Sequence, residues 1–136
     1  MTELVVMPDA EQTVIDGLAE GLEPLGYTGP IGTRVPNPRP PASVQVLRTG
    51  GIAPTIISDQ AEISIDVRAA SESGAALLAG YVRAVMRSLE GQILGGVMVY
   101  RVGEASGPSN YPDPYTPDES RYTQLFTVHV RGDVLA

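Results

Sequence analysis

The sequence predicts an α+β fold in which two helices pack on a mostly antiparallel four- to five-stranded sheet, in the order α-β-β-β-α-β-β. Three observations predict it. Apolar residues recur at helical spacing in two segments, first Val14, Ile15, Leu18 and Leu22, then Leu78, Val82, Val85 and Leu89. Residues 61–68 alternate strictly, with Ala61, Ile63, Ile65 and Val67 against Glu62, Ser64, Asp66 and Arg68, which is the pattern of a strand with one wet face. Between these segments, Gly and Pro clusters divide the chain into short strands joined by turns.

The first helix starts at Pro8-Asp9. Asp9 can accept from the free N–H groups of the first turn, and Gln12 completes a capping-box pattern. Gly17 and Gly21 weaken this helix by about 1 kcal/mol each relative to Ala, so either packing compensates or another backbone approaches closely there. Pro24 and Gly26 end it. Ile31 to Val35 reads as a short strand, and Pro36, Pro38, Pro40 and Pro41 then stiffen the chain into an edge or crossing segment. Residues 43–48 and 61–68 form an antiparallel hairpin with a long tip over 49–59 that carries Ile52, Ile56 and Ile57. The second helix runs from the N-cap Ser71 to Leu89, its apolar stripe widened by Leu77, Tyr81 and Met86, with Gly91 as C-cap. Gly95-Gly96 opens a strand over Val97–Val102, residues 104–120 form a long Pro-rich acidic loop, and Arg121–Arg131 is the last strand. Residues 1–7 are expected to be a flexible N-terminal arm, with Met7 as an alternative start, and 8–136 a single domain.

Composition excludes several classes. A chain of 136 residues with 43% apolar content builds one core. It has nine Arg, no Lys and a net charge of −7, which argues against a protein whose main task is to grip nucleic acid. It has no Cys, hence no disulfide, thiolate metal site or Cys nucleophile. No basic leader and no apolar run of spanning length is present, so the chain reads as soluble and cytoplasmic in origin, with no membrane partner.

No residue pattern points to catalysis. His129 is the one imidazole, in an alternating strand with no neighbouring nucleophile or Gly-x-Ser-x-Gly elbow, so a structural or solvent-facing role is expected. Asp113, Asp118 and Glu119 lack calcium-loop spacing. Thr49-Gly50-Gly51 lies between strands and not at a strand-to-helix turn, so it is a turn and not a phosphate cradle. Catalytic, cofactor and metal residues are therefore read as none. Candidate interface residues are Arg34, Pro36, Asn37, Pro38 and Arg39, a rigid segment that costs little entropy to dock, together with Ile52, Ile56 and Ile57 at the hairpin tip and Tyr111 and Tyr115 in the long loop. Tyrosines that pin the loop to its own domain are an equal reading.

A series of short phrases adds a resemblance. These are Thr33-Arg34-Val35-Pro36-Asn37-Pro38-Arg39-Pro40-Pro41 running into Val44-Gln45-Val46-Leu47-Arg48-Thr49-Gly50-Gly51, then Gly96-Val97-Met98-Val99-Tyr100-Arg101-Val102, then Gly107-Pro108-Ser109-Asn110-Tyr111-Pro112-Asp113-Pro114. The series ends with Arg121-Tyr122-Thr123 and Thr127-Val128-His129-Val130-Arg131-Gly132. In this order, over roughly residues 8 to 132, they resemble the small tail terminator proteins of long-tailed phages, especially those of actinobacterial hosts. The resemblance implies a non-enzymatic virion protein without a cofactor, made in the host cytoplasm and residing at the head-proximal end of the tail. It implies a homo-oligomeric ring, usually a hexamer, whose partners are the tail tube protein and a head-side connector protein, with DNA passing through without specific binding. Two other readings are a head-side neck component and a small ligand-binding or hydrolase-like α+β domain.

Overall fold

The computed structural model describes residues 3–135. In chain order the elements are β1 (Leu4–Val6), α1 (Ala10–Leu22), a 3-10 turn (Glu23–Leu25), β2 (Ile31–Gly32), β3 (Ala42–Thr55) and β4 (Ser58–Ala69). They continue with α2 (Glu72–Ser88), β5 (Ile93–Leu94), β6 (Val97–Asn110), β7 (Ser120–Arg131) and β8 (Asp133–Leu135).

Six strands make one curled sheet, half of a barrel, in the order β2-β3-β4-β7-β6-β5, while β1 and β8 pair in a separate two-stranded sheet. The centre is the β4–β7 ladder, which runs without a register shift from Ser58↔Arg131 to Ala69↔Ser120. Alternation then does the sorting. Ala61, Ile63, Ile65 and Val67 of β4 and Phe126, Val128 and Val130 of β7 point to one face and are buried there by the helices. Residues 60, 62, 64 and 66 of β4 and 123, 125, 127 and 129 of β7 fall on the other face, which no helix covers.

Both helices lie on the apolar face. Asp9 caps α1 by accepting from Gln12 N–H at 3.1 Å, but Gln12 turns its side chain to Asp16 at 2.8 Å, so only half of the capping box forms. Ser71 caps α2 by accepting from Gly74 N–H at 3.0 Å. Val14, Leu18 and Leu22 of α1 and Ala79, Val82 and Met86 of α2 are fully buried. Gly17 and Gly21 make room for side chains of α2 and β5, not for a backbone. A Cβ on Gly17 would meet Leu89 at 2.8 Å and Leu94 at 3.0 Å, and one on Gly21 would overlap Val85. Because α1 touches β2 and β3 on one side and β5 on the other, the sheet curls around the helical layer. Tyr27, whose hydroxyl donates to Pro30 C=O at 2.6 Å, packs at the α1 end of that layer, and burial pushes its pKa up to about 12.

The predicted two-layer α+β fold with four or five strands is corrected here. The protein is mostly sheet, with eight strands and two helices among the described residues. The 49–59 tip is no loop: β3 and β4 pair up to Thr55↔Ser58, leaving Ile56-Ile57 as the turn. The 104–120 loop shrinks to 111–119, because β6 continues to Asn110 along β7. The strand expected over 31–35 ends at Gly32. Part of the expected arm, Leu4–Val6, pairs with β8, a strand beyond the predicted order; residues 1 and 2 lie outside the described residues. β5 was also missing, and Leu77, placed in the α2 stripe, is 57% exposed. The two long strands share one reason. Gly, Pro and Ser in the extensions of β3 and β6 break the apolar alternation, and the strand state there comes from the neighbouring ladder, not from propensity.

The glycines of the two helices should respond oppositely to alanine. Gly21→Ala forces a Cβ into Val85 and should destabilise by about 1–3 kcal/mol. Gly80 has nothing within 4 Å of its would-be Cβ, so Gly80→Ala should stabilise by about 0.5–1 kcal/mol. Urea unfolding midpoints of the two variants should move to opposite sides of the wild type; a shift in the same direction would contradict the helix packing described.

Candidate functional site

The long strands carry the candidate residues to two opposite ends of the sheet. The 12 residues of β4 span about 36 Å at roughly 3.3 Å per residue. One end holds the β3–β4 turn, the end of β7, the start of β6 and the β1–β8 ribbon. The other holds the Pro-rich segment before β3 and the 111–119 loop.

At the turn end, Ile52 and Ile56 are 65% and 72% exposed, whereas Ile57 is half-buried and its carbonyl accepts from Gly132 N–H at 2.7 Å. Leu4, Val6, Ile93, Val134 and Leu135 are also exposed at this end. A cleft of about 500 Å³ lies between the β1–β8 ribbon and the start of β6, lined by Val6, Met7, Val97, Met98, Leu135 and Arg131 among others.

At the opposite end, Arg34, Pro36, Asn37 and Pro38 are exposed, and Arg39 is held to the molecule's own Glu119 at 2.9 Å. Tyr111 lies under the Arg121 guanidinium, 4.8 Å from its centroid, and its carbonyl accepts from Arg121 Nε at 2.8 Å. Tyr115 projects almost free into solvent. Of the two tyrosines, Tyr111 is therefore engaged with its own domain and Tyr115 is not. Asp66 collects Arg68, Arg121 and the Thr123 hydroxyl at 3.7, 3.8 and 2.9 Å, and Asp113 faces Arg121 at 3.9 Å. The Tyr115 backbone N–H, 2.9 Å from Asp113, holds that carboxyl below its ordinary range, with Arg121, Arg68 and Arg39 adding to the effect. Arg68 is nearly buried, donates to Gln45 at 3.1 Å and leaves its Nε without a partner among the described residues. Arg68, Asp66 and Arg121 were not among the predicted site residues. The signal was available in part, since Asp66 and Arg68 alternate on the wet face of β4.

The sheet has two free edges. β3 has a strand neighbour on its outer side only at Val44 and Gln45, and Glu11 accepts its Arg48 N–H at 2.7 Å. From Thr49 to Thr55 that edge has no strand partner among the described residues. β5 covers β6 only at Val97 and Met98, and Glu90 accepts from Val102 N–H at 3.0 Å. From Gly103 to Asn110 the outer edge of β6 is likewise without a strand partner. Bulges and the prolines Pro54 and Pro108 interrupt both edges. Two forked ion pairs stiffen the elements beside them: Arg48 to Asp59 at 2.5 and 2.9 Å at the base of the turn, and Arg83 of α2 to Glu104 of β6 at 2.5 and 2.8 Å.

The uncovered face of the sheet is mostly polar, with Ser43, Gln45, Glu62, Ser64, Ser106, Ser109, Thr123 and Thr127, and it also carries Leu47 and Leu125 on either side of Ser64. His129 stands on it, opposite Gln60 and Arg101 in register. Among the described residues no group of three His, Cys, Asp or Glu side chains forms a metal cage, and no helix is long and apolar enough to cross a membrane. Comparison with protein-family models and with curated proteins gives no match.

The Asp113 contact yields a pH prediction. Its folded pKa lies below the ordinary value of 3.8, so its contribution is present above that value and is lost as pH falls through the folded pKa. Asp113→Asn should lower stability at neutral pH, and its gap from the wild type should close below about pH 4. Denaturation midpoints at pH 7 and pH 3 check this; an equal gap at both would show that the ionised carboxylate does not hold the loop.

Proposed function

We propose that the chain is a structural virion protein, a tail terminator that forms a closed homo-oligomeric ring, most simply a hexamer, on the head-proximal end of a phage tail tube. The observation that carries this reading is the pair of free edges on opposite sides of a curled sheet. β3, β4, β7 and β6 alternate in direction, so β3 and β6 run oppositely. Copies related by rotation about an axis along the strands bring β6 of one copy beside β3 of the next in antiparallel orientation. Such a contact is heterologous, and the curl turns each copy by a fixed angle, so the series closes instead of extending as a flat sheet.

The two strand ends then supply two different surfaces, one for the tail tube and one for the head-side connector. The motif resemblance supports the tube as partner. A net charge of −7 suits a ring through which DNA passes without being gripped. The polar sheet face carries no constellation for acid–base chemistry, and the role is mechanical: the ring stops tube growth and presents the joining surface.

Native mass measurement and electron imaging of the protein added to tail tubes test the reading. A closed ring of several copies at one tube end, with tube length fixed, is expected. A single copy per tube end would overturn it, and binding to the head connector without any effect on tube length would favour a head-side neck component. His129→Ala should leave ring formation and tail completion within about twofold of the wild type, because no partner for proton transfer is placed beside it. Loss of function in a folded variant would reopen a catalytic reading.

A further inference from the structure

The exposed isoleucines and the cleft lie at the same end and the same level of the sheet, the isoleucines at the β3–β4 turn and the cleft between the start of β6 and the β1–β8 ribbon. Ser58, next to the Ile56-Ile57 turn, pairs with Arg131, and Val130 pairs with Val99, so the turn is level with Val97 and Met98 across the sheet. Ile52 and Ile56 therefore form an exposed apolar knob at the β3–β4 turn, and the cleft beside Met98, lined by Val6, Met7, Val97 and Leu135 together with Arg131 and Asp133, is a partly apolar hole at the start of β6. We propose that the β3–β4 turn of one copy seats in the cleft of a second copy, with Ile56 against Val6, Val97, Met98 and Leu135. This inference rests on the ring reading and names its contact.

Area argues that the edges need this addition. A contact along the seven free residues of β3 is about 23 Å long, and at one sheet layer of about 10 Å it covers roughly 200 Å² per copy. A stable interface buries about 800 Å² per partner. Edge pairing interrupted by bulges and prolines falls well short of that. The exposed aliphatic side chains at the turn end, Ile52, Ile56, Leu4, Val6, Ile93 and Leu135, are the apolar surface at the right level to make up the difference. A second copy is the occupant that fits. The knob and the hole belong to the same chain, and their charges do not clash: the turn from Thr49 to Ser58 has no charged residue, and the cleft carries one cation and one anion, Arg131 and Asp133. A knob and hole placed this way repeat around a ring, whereas an isologous contact would pair only two copies.

The chain has no Cys, so cross-linking reads the contact directly. Ile56→Cys and Met98→Cys are made singly and together, with Leu135→Cys as a second receptor position should Met98→Cys not fold. Concentrated protein is oxidised, and the same samples are weighed by native mass measurement. Neither single variant should cross-link alone, an equal mixture of the two should give a covalent dimer, and the double variant should give a ladder ending at the ring size. Ile56→Asp should keep the wild-type thermal midpoint and lose the oligomer. Dimers formed by Ile56→Cys alone would overturn the proposal, since they indicate an isologous contact. Rings seen by mass without any Ile56–Met98 or Ile56–Leu135 cross-link would overturn it and leave the ring reading intact. Monomers at every concentration and on tubes, with no cross-link, would overturn both.

Discussion

The uninterrupted β4–β7 ladder is the constraint on which the rest of the molecule depends. Its 12 pairs hold a strict period of two, so a slip of one residue would turn Ile63, Ile65, Phe126 and Val128 toward water and the polar set inward. That penalty, several buried side chains at about 1.5–3 kcal/mol each, fixes the register far more firmly than any single hydrogen bond. With this register set, the helices have one apolar face to cover, and β3 and β6 are held at defined heights on either side.

The edges show a compromise between association and solubility. An unpaired strand invites any other strand, and both β3 and β6 carry the usual defences, namely bulges, glycines and a proline close to the strand's end. Such edges resist indiscriminate pairing while remaining available to a partner that presents matching side chains at matching height. For the ring proposed above, selectivity then comes from side chains at the strand ends more than from the ladder itself.

Charge plays a local role here. The opposite end of the sheet is closed by Arg39, Arg68 and Arg121 against Asp66, Asp113 and Glu119, a balanced set in which the guanidinium forks tie the Pro-rich segment and the 111–119 loop to the strands. Each partly exposed pair is worth little alone, because water screens it, but as a network they fix the course of two segments that have almost no secondary structure. Arg39 is thereby engaged internally, and Arg34 is the arginine of that segment with no acidic partner within 4 Å among the described residues.

What the sequence determined by itself was whatever depends on neighbours along the chain. Both helices, their caps at Asp9 and Ser71, the alternating strands at 61–68 and 121–131, and the two opposing faces of β4 follow from local periodicity and capping chemistry, which need no distant contact. Of the three isoleucines expected at the tip, Ile52 and Ile56 are exposed and Ile57 is half-buried, a split that local pattern does not show. Tertiary structure decided the rest. The strand character of 49–55 and 104–110 comes from long partners already laid down in β4 and β7. The pairing of β1 with β8 joins segments more than a hundred residues apart. The ion pair of Arg39 needs Glu119, and the alignment of the isoleucine turn with the Met98 cleft exists only once four strands are in register. None of these leaves a local pattern, because each is stabilised by a surface that the chain creates only by folding.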